Sequence, residues 1–466
     1  MLLTSLLFCS KESFMHGFLK NNHWTNISTY WHDHLSHFEK IVQKPLIRIH
    51  GRVLELTSLI IRASIPSVSI GEICKLSVNG SELPLFAQVV GFREDDVFLM
   101  PFGDTSGLGP NSQVTREQKT FTLKVGYELL GRTLNGLGQA IDEKESLSPD
   151  LCDWPLNRGA PDPYKRRPIK EALPLGIRAI DSLMTVGKGQ RIGLFSGSGV
   201  GKSSLMAEIV KNTAAKIIVV CLVGERGREV MEFINEALSE ESRKKCVMVV
   251  ATSDSPSLVR YLSSFVATAI AEWFRDQGED VLLLMDSVTR FARAQREIGL
   301  ALGEPPARLG FPPSVFAEIP KLLERTGTNE HGSITALYTV LVQGSDFEEP
   351  IADELRGILD GHIYLDRTLA ENGHWPAISV LPSLSRVMNN IVDAEHKKSA
   401  MQIRRLISIY EKHRDLILLQ AYKPGTDEQI DLAIRKMPLI NDFLQQPKDF
   451  FAEYNESIKA LHKIAA

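Results

Sequence analysis

The run Arg191-Ile-Gly-Leu-Phe-Ser-Gly-Ser-Gly-Val-Gly-Lys-Ser-Ser204 places alternating glycines, a lysine and two hydroxyls directly after an apolar stretch. That set suits a polyphosphate. Gly197, Gly199 and Gly201 let the backbone wrap closely enough for successive N–H groups to point at phosphate oxygens. A helix beginning after them adds the positive end of its dipole. Lys202 then reaches the β- and γ-phosphates and the Ser203 hydroxyl a Mg²⁺ ion. The nucleotide-binding segment is therefore Gly197, Ser198, Gly199, Val200, Gly201, Lys202, Ser203 and Ser204, with Ser196 where the strict P-loop pattern starts on glycine. A glycine-rich loop by itself is equally a turn; the strand before it and the helix after it select the phosphate reading.

Two acidic groups extend this chemistry. Val281-Leu-Leu-Leu-Met-Asp286 reads as a buried parallel strand ending in a carboxylate. Ligands of open α/β sheets bind outside such strand ends, so Asp286 is placed for the Mg²⁺ shell; capping of the following helix is its other reading. Ile218-Val-Val-Cys-Leu-Val-Gly-Glu225-Arg226-Gly-Arg228-Glu229 is a further apolar strand, spaced to be the neighbour of the P-loop strand. Glu225 there could orient a water for attack on the γ-phosphate. Equally, Glu225, Arg226, Arg228 and Glu229 could pair with one another on a solvated face.

The elements that hold these groups follow from pattern. From Arg48 to about Val114, short β-rich runs (Ile60–Ile65, Phe86–Gly91, Asp96–Met100) alternate with turn residues, the pattern of a small barrel. Val125-Gly126 and Leu130–Gly138 have hairpin chemistry. Cys152–Pro163 reads as a surface loop by its prolines and glycine. From about Pro168 to Arg386, apolar strands alternate with amphipathic helices, which predicts a parallel α/β sheet. Gly303-Glu-Pro-Pro306 and Gly310-Phe-Pro-Pro313 interrupt helices, either as plain loops or as a pore-facing or stalk-contacting element. Beyond Val392 the chain is helical, and Ile403, Leu406, Ile407 and Tyr410 recur at helical spacing. Residues 1–45 are polar, with one short amphipathic helix expected near Trp31–Ile41. His32, His34 and His37 lack further ligands at metal-site spacing and read as solvated histidines.

Several of these runs also carry a resemblance. Met285-Asp-Ser-Val-Thr-Arg-Phe-Ala-Arg through Ala317-Glu-Ile-Pro320, Gly224-Glu-Arg-Gly-Arg-Glu-Val230, Pro350–Ile363 and Ser383-Leu-Ser-Arg-Val-Met388 resemble the ATPases of type III secretion systems and of the flagellar export apparatus, relatives of the catalytic subunit of rotary ATP synthases. The similarity runs from about Gly51 to the C-terminus. It implies a RecA-like P-loop ATPase core of the α/β class, with an N-terminal β-barrel and a C-terminal helical domain, divided as residues 1–45, 46–118, 119–390 and 391–466. It implies Lys202 and Ser203 as phosphate and Mg²⁺ residues, Glu225 as the catalytic carboxylate and Asp286 as the second metal-side acid. Arg226 and Arg290 would stand near the γ-phosphate and the metal-site network. Trp375, by itself a core residue before Pro376, would lie on the adenine face. Arg386, otherwise a plain surface arginine, would be the finger a neighbouring subunit inserts. The implied ligands are ATP and Mg²⁺. The implied partners are five further copies in a hexamer, export chaperones and secreted proteins, and stalk and stator or regulator proteins. The implied location is cytoplasmic, peripheral to the inner membrane.

Composition agrees. The 466 residues exceed one ordinary core, and 43% hydrophobic with 24% charged residues is a globular balance. A net charge of −4 gives no reason for an obligatory nucleic acid or anionic-membrane partner. Cys9, Cys74, Cys152, Cys221 and Cys246 form no C-x-x-C pair and read as free thiols of a reducing compartment. No run of eighteen apolar residues predicts a membrane span. Met1–Cys9 is too short and wrongly flanked for a secretory signal, and Met15 is a second candidate start. Three rival functions share the core. A rotary ATP synthase subunit is disfavoured by the Gly303–Pro320 wording and Gln343-Gly344. A ring RNA helicase would need basic residues around Phe86, Phe92 and Phe102, where only Arg93 sits. A non-catalytic regulatory subunit would not need Glu225.

Overall fold

Alternation with period two governs the first described segment, and helices between apolar strands govern the next. The computed structural model describes residues 50–466 apart from 58, 82, 149, 238 and 343–348, with Gly51–Ala466 as one unit. The helix expected near Trp31–Ile41, the His32/His34/His37 group, Cys9 and Gln343-Gly344 lie outside the described residues.

Strands β1 (His50–Thr57), β2 (Ile60–Ser64), β3 (Glu72–Leu76), β4 (Leu85–Arg93), β5 (Asp96–Pro101) and β6 (Gln113–Thr120) close into a barrel in the order β1-β2-β5-β4-β3-β6. Alternate residues fill it: Leu85, Ala87 and Val89 of β4 are buried, as are Cys74 and Leu76 of β3 and Val97 and Leu99 of β5. Closure leaves no free strand edge, which is why so short a β segment is stable. The inward-leaning Glu72 is compensated by a bidentate pair with Arg116 at 2.7 and 3.0 Å.

The sheet that follows is built from β8 (Thr133–Asn135), β10 (Arg191–Ser196), β11 (Ile217–Glu225), β12 (Cys246–Thr252), β13 (Asp280–Asp286), β14 (Gly327–Thr328), β15 (Ser333–Leu341), β16 (Gly361–Leu365) and β17 (Ile378–Ser385). Its order is β17-β16-β10-β15-β13-β11-β12-β8, with β14 on β15. β14 and β17 pair antiparallel and the remaining pairs are parallel. All nine residues of β11 are buried, as a strand covered on both faces requires. Parity sorts its side chains. Ile217, Val219, Cys221 and Val223 join one core with the helices Ser257–Asp276, Val288–Ala301 and Pro313–Leu323. Ile218, Val220 and Leu222 join the other, with Arg178–Leu183, Lys202–Asn212 and the C-terminal helices Ala394–Leu418, Glu428–Leu444 and Tyr454–Ala465. There Ile403, Leu406 and Ile407 are buried, so the helical spacing is packing.

Two expectations change. β11 is not the neighbour of β10: β15 and β13 lie between them, because a long crossover lets later strands insert. Cys152–Pro155, expected in a loop, is a strand (β9) paired antiparallel with β7 (Thr122–Val125). Its proline ends a two-stranded ladder, where the missing N–H is tolerated. The hairpin chemistry at Leu130–Gly138 gives β8 and a bridge from Leu134 to Ala140, and β8 also forms an edge of the large sheet. Gly303 at φ 86° follows the helix Val288–Ala301, and Pro313 opens the next helix.

Behind the sheet, Arg325 donates to both Glu272 oxygens at 2.9 and 2.6 Å and to the Leu156 carbonyl at 2.9 Å, with both partners at most 2% exposed. Removing one member leaves a buried charge. Glu272→Ala should lower stability by about 3–5 kcal/mol, and the apolar double variant Glu272→Leu/Arg325→Met should recover most of that loss. Urea unfolding midpoints test both; a single variant within about 1 kcal/mol of wild type would contradict this account.

Candidate functional site

The carboxyl ends of β10, β15, β13 and β11 lie along one rim of the sheet. From β10 the chain passes buried Ser196 into Gly197–Gly201, and the helix Lys202–Asn212 begins after Gly201, whose φ of 86° is left-handed. A Cβ on Gly201 would stand 2.5 Å from the Trp375 ring, so glycine is needed for conformation and for close approach. This puts the half-buried Trp375 against the start of the phosphate-loop helix. Ser198, Gly199 and Ser203 are exposed, while Val200 anchors the loop in the core.

Four charged groups converge beside the loop. The Lys202 ammonium donates to Asp286 Oδ1 and stands 4.0 Å from Glu225. Arg290 grips Glu225 bidentately, Nε to Oε1 at 2.9 Å and Nη2 to Oε2 at 3.0 Å. Thr339 donates to Asp286 Oδ1 at 2.6 Å. The helix Val288–Ala301 is capped by Ser287, which accepts from the Arg290 N–H at 3.3 Å; Asp286 is thereby left to the site. Asp286 and Ser203 offer a carboxylate and a hydroxyl, the hard oxygen donors that fit Mg²⁺.

A bulge aims Glu225. In the β11–β12 ladder Val223 faces Ala251 and Glu225 faces Thr252, so Gly224 is the extra residue, at φ 67°. Without it, Glu225 would share the face of Val219, Cys221 and Val223. With it, Glu225 takes the face of Leu222, whose partner on β13 is Asp286. Burial and the neighbouring Asp286 charge push Glu225 up to about 7, against the opposing pull of Lys202 and Arg290.

The Gly-Glu-Arg-Gly-Arg-Glu segment therefore divides. Glu225 turns inward. Arg226 is 78% exposed and pairs with Glu229 at 3.1 Å, and Arg228 pairs with Glu232 at 3.3 Å. The structure does not bring Arg226 into the group around Lys202; it starts the helix Gly227–Ala237, whose first turn leaves its side chain to solvent. Arg386 is not brought there either. β17 runs antiparallel, so its last residue pairs with Gly361 at the amino end of β16, and Arg386 lies on the opposite rim, donating its N–H to the Asp360 carbonyl at 3.0 Å. The six residues of β10 separate the rims by about 15–20 Å. Thr339 was missed by sequence reasoning; its signal is a hydroxyl in the otherwise apolar end of β15.

Residues 58–117 match the ATP synthase alpha/beta family beta-barrel domain, 176–385 its nucleotide-binding domain, and 392–463 the T3SS EscN ATPase C-terminal domain. The flagellum-specific ATP synthase of Bacillus subtilis (strain 168) is 51% identical over 413 residues, 88% of this chain and 94% of that protein. The type 3 secretion system ATPase of Xanthomonas euvesicatoria is 47% identical over 419 residues, 90% and 94% respectively. The chain belongs to the flagellar and type III secretion ATPase family. Among solved structures, the assembled ATPase EscN of the enteropathogenic E. coli type III secretion system is similar with a TM-score of 0.85 at 46% identity, covering 89% of this chain and all of that one. EscN in complex with its central stalk EscO matches with a TM-score of 0.82. As a member of this family the chain is an ATPase, and among the described residues no helix is long and apolar enough to cross a membrane.

A catalytic role for Glu225 predicts a pH dependence, because its carboxyl is raised. Ionised Glu225 is lost as pH falls through about 7, so kcat/KM for ATP should fall on that limb. Arg290 lowers this pKa, so Arg290→Gln should move the limb to higher pH in addition to slowing turnover. Comparing the two proteins at each pH cancels the titration of ATP itself; superimposable limbs would show that Glu225 is not the titrating group.

Proposed function

We propose that this ATPase drives type III protein export as a homo-hexameric ring whose active sites are each completed by a neighbouring copy. The observation that carries this reading is the separation of Lys202, Asp286, Glu225 and Arg290 on one rim from Arg386 on the other. The division into a barrel (46–118), an ATPase core (119–390) and a helical domain (391–466), after an N-terminal segment (1–45), belongs to the same reading.

The loop N–H groups from Gly197 to Ser204 bind the phosphates and Lys202 exchanges Asp286 for the β- and γ-phosphate oxygens. Trp375, already against Gly201, gives the adenine an apolar face. Ser203 and Asp286 would hold Mg²⁺, which would neutralise charge on the phosphates. Glu225, oriented by the bidentate Arg290, accepts a hydrogen bond from the attacking water. Water forms the new bond to the γ-phosphorus as the bond to the bridging oxygen of ADP breaks. Arg386 of a neighbouring copy stabilises the charge that develops on the departing phosphoryl group. Arg226 stands at the solvated mouth of the site, paired with Glu229. Assembly of the relative EscN and its complex with a central stalk support a ring and a stalk partner here. Chaperones and secreted proteins are the proposed cargo, stator or regulator proteins the proposed controls, and the cytoplasmic face of the inner membrane the proposed location.

The sharing is testable by mixing. Arg386→Ala and Glu225→Gln should each lower turnover by about 10³-fold or more, with wild-type activity rising steeply with protein concentration. Rings assembled from both variants contain interfaces with an intact Glu225 facing an intact Arg386. Random pairing in a head-to-tail ring makes these about a quarter of the total, so activity should return toward about a quarter of wild type. No recovery, with Arg386→Ala fully active alone, would exclude the shared site.

A further inference from the structure

The backbone around Arg386 is held far more tightly than its side chain. The guanidinium is exposed and its hydrogen bond is to the Arg356 carbonyl at 3.1 Å. A long arginine with one such contact keeps much of its rotamer freedom, so the accuracy of its reach comes from where its backbone starts.

That start is fixed by Gln190, the residue immediately before β10. Gln190 is fully buried. Its Nε2 donates to the Asp360 carbonyl and to Ser385 Oγ, both at 3.0 Å, and its Oε1 accepts from the Gly187 N–H at 2.8 Å. The same Asp360 carbonyl accepts from the Arg386 N–H at 3.0 Å. Ser385 Oγ donates to the Thr185 carbonyl at 2.9 Å and accepts from the Met388 N–H at 3.3 Å, so it ties the chain on both sides of Arg386. Asp360 is held in turn by its carboxylate, which accepts from the Arg191 backbone N–H at 3.0 Å and from its Nε at 3.1 Å. Packing is close: a Cβ on Gly361 would stand 2.5 Å from the Leu384 carbonyl oxygen and 3.3 Å from Gln190 Nε2. None of these groups touches Lys202, Glu225, Asp286 or Arg290.

We propose that Gln190 and Ser385 are positioning residues for Arg386, forming a buried clamp that fixes the backbone from which it reaches a neighbouring copy's γ-phosphate. This rests on the shared-site reading. The clamp acts only through the donated arginine, so a subunit lacking it keeps a working phosphate loop, Glu225 and Arg290 of its own. A misplacement of about 1 Å costs on the order of 10²-fold in rate, and partial loosening correspondingly less.

The test is the genetic class of the variant in mixed rings. Gln190→Met keeps the volume of the buried side chain and removes its hydrogen bonds; Ser385→Ala removes a single hydroxyl. Each should lower kcat by about 10- to 100-fold with nucleotide affinity and KM little changed. Mixed with Glu225→Gln, which donates a normal Arg386, each should recover toward about a quarter of wild-type activity. Mixed with Arg386→Ala, neither should recover. A general structural defect would damage both sides of the interface and would not separate the two mixtures.

Near-wild-type turnover of both variants overturns the proposal. So does rescue by Arg386→Ala instead of Glu225→Gln, or failure of both variants to assemble, which would make the clamp a folding element alone. If the control mixture of Arg386→Ala with Glu225→Gln fails to recover, the shared site itself is refuted and the clamp's role falls with it. A control that recovers while the clamp variants recover with neither partner refutes the clamp alone.

Discussion

Two carboxylates and two cations share a few ångströms of largely desolvated space at the end of the sheet, and their mutual compensation is the constraint on which the site depends. Glu225 and Asp286 are 8% and 5% exposed at their side chains, Lys202 is 12% and Arg290 is 27%. Removed from water, none of these charges is stable without the others. Burial and the Asp286 charge raise the Glu225 carboxyl, while Lys202 and Arg290 hold that rise back. In the proposed site, phosphate oxygens arriving at Lys202 would compete with Asp286 for the same ammonium, so nucleotide binding would redistribute charge that is already present.

The sheet supplies this arrangement through register more than through loops. Asp286 stands opposite Leu222 on β11, and Thr339 follows Tyr338, the partner of Met285. Strand ends in a close-packed parallel sheet move little relative to one another, so groups placed there keep their distances. β10 carries the phosphate loop at its carboxyl end, while Gln190 and Arg191 at its amino end hold the segment that presents Arg386. One short strand therefore spans the two halves of two different proposed sites.

Much of this was legible in the sequence because the decisive patterns are local. The strand–loop–helix around Lys202, the apolar run ending at Asp286, the alternation of the barrel and the packing spacing of Ile403, Leu406 and Ile407 each follow from neighbours in the chain. What was not legible is set by distant partners. Nothing local says that β13 and β15 insert between β10 and β11, since crossovers of many lengths are compatible with the same pattern. Cys152–Pro155 becomes a strand only because Thr122–Val125 lies beside it. Of the charged residues in the Glu225–Glu229 segment, Glu225 turns inside beside Lys202, Arg226 pairs with Glu229 and Arg228 with Glu232, so only the arginines stand in solvent.

Gly224 explains why that segment divides. A regular strand alternates faces, and continued alternation would have sent Glu225 toward the core that holds Val219, Cys221 and Val223. There a carboxylate would be buried among apolar helices, away from Lys202. The extra residue shifts the alternation by one and turns Glu225 toward the side where the helix Lys202–Asn212 packs. The chain resumes as a helix at Gly227, which carries Arg228 outward to solvent and leaves Glu229 half-buried beside Glu225. A single glycine with a left-handed backbone thus separates, within two residues, a buried carboxylate poised for chemistry from an exposed arginine. An isolated glycine near the end of an apolar strand is the one sequence signal that points to such a bulge, and Val223-Gly224-Glu225 contains it.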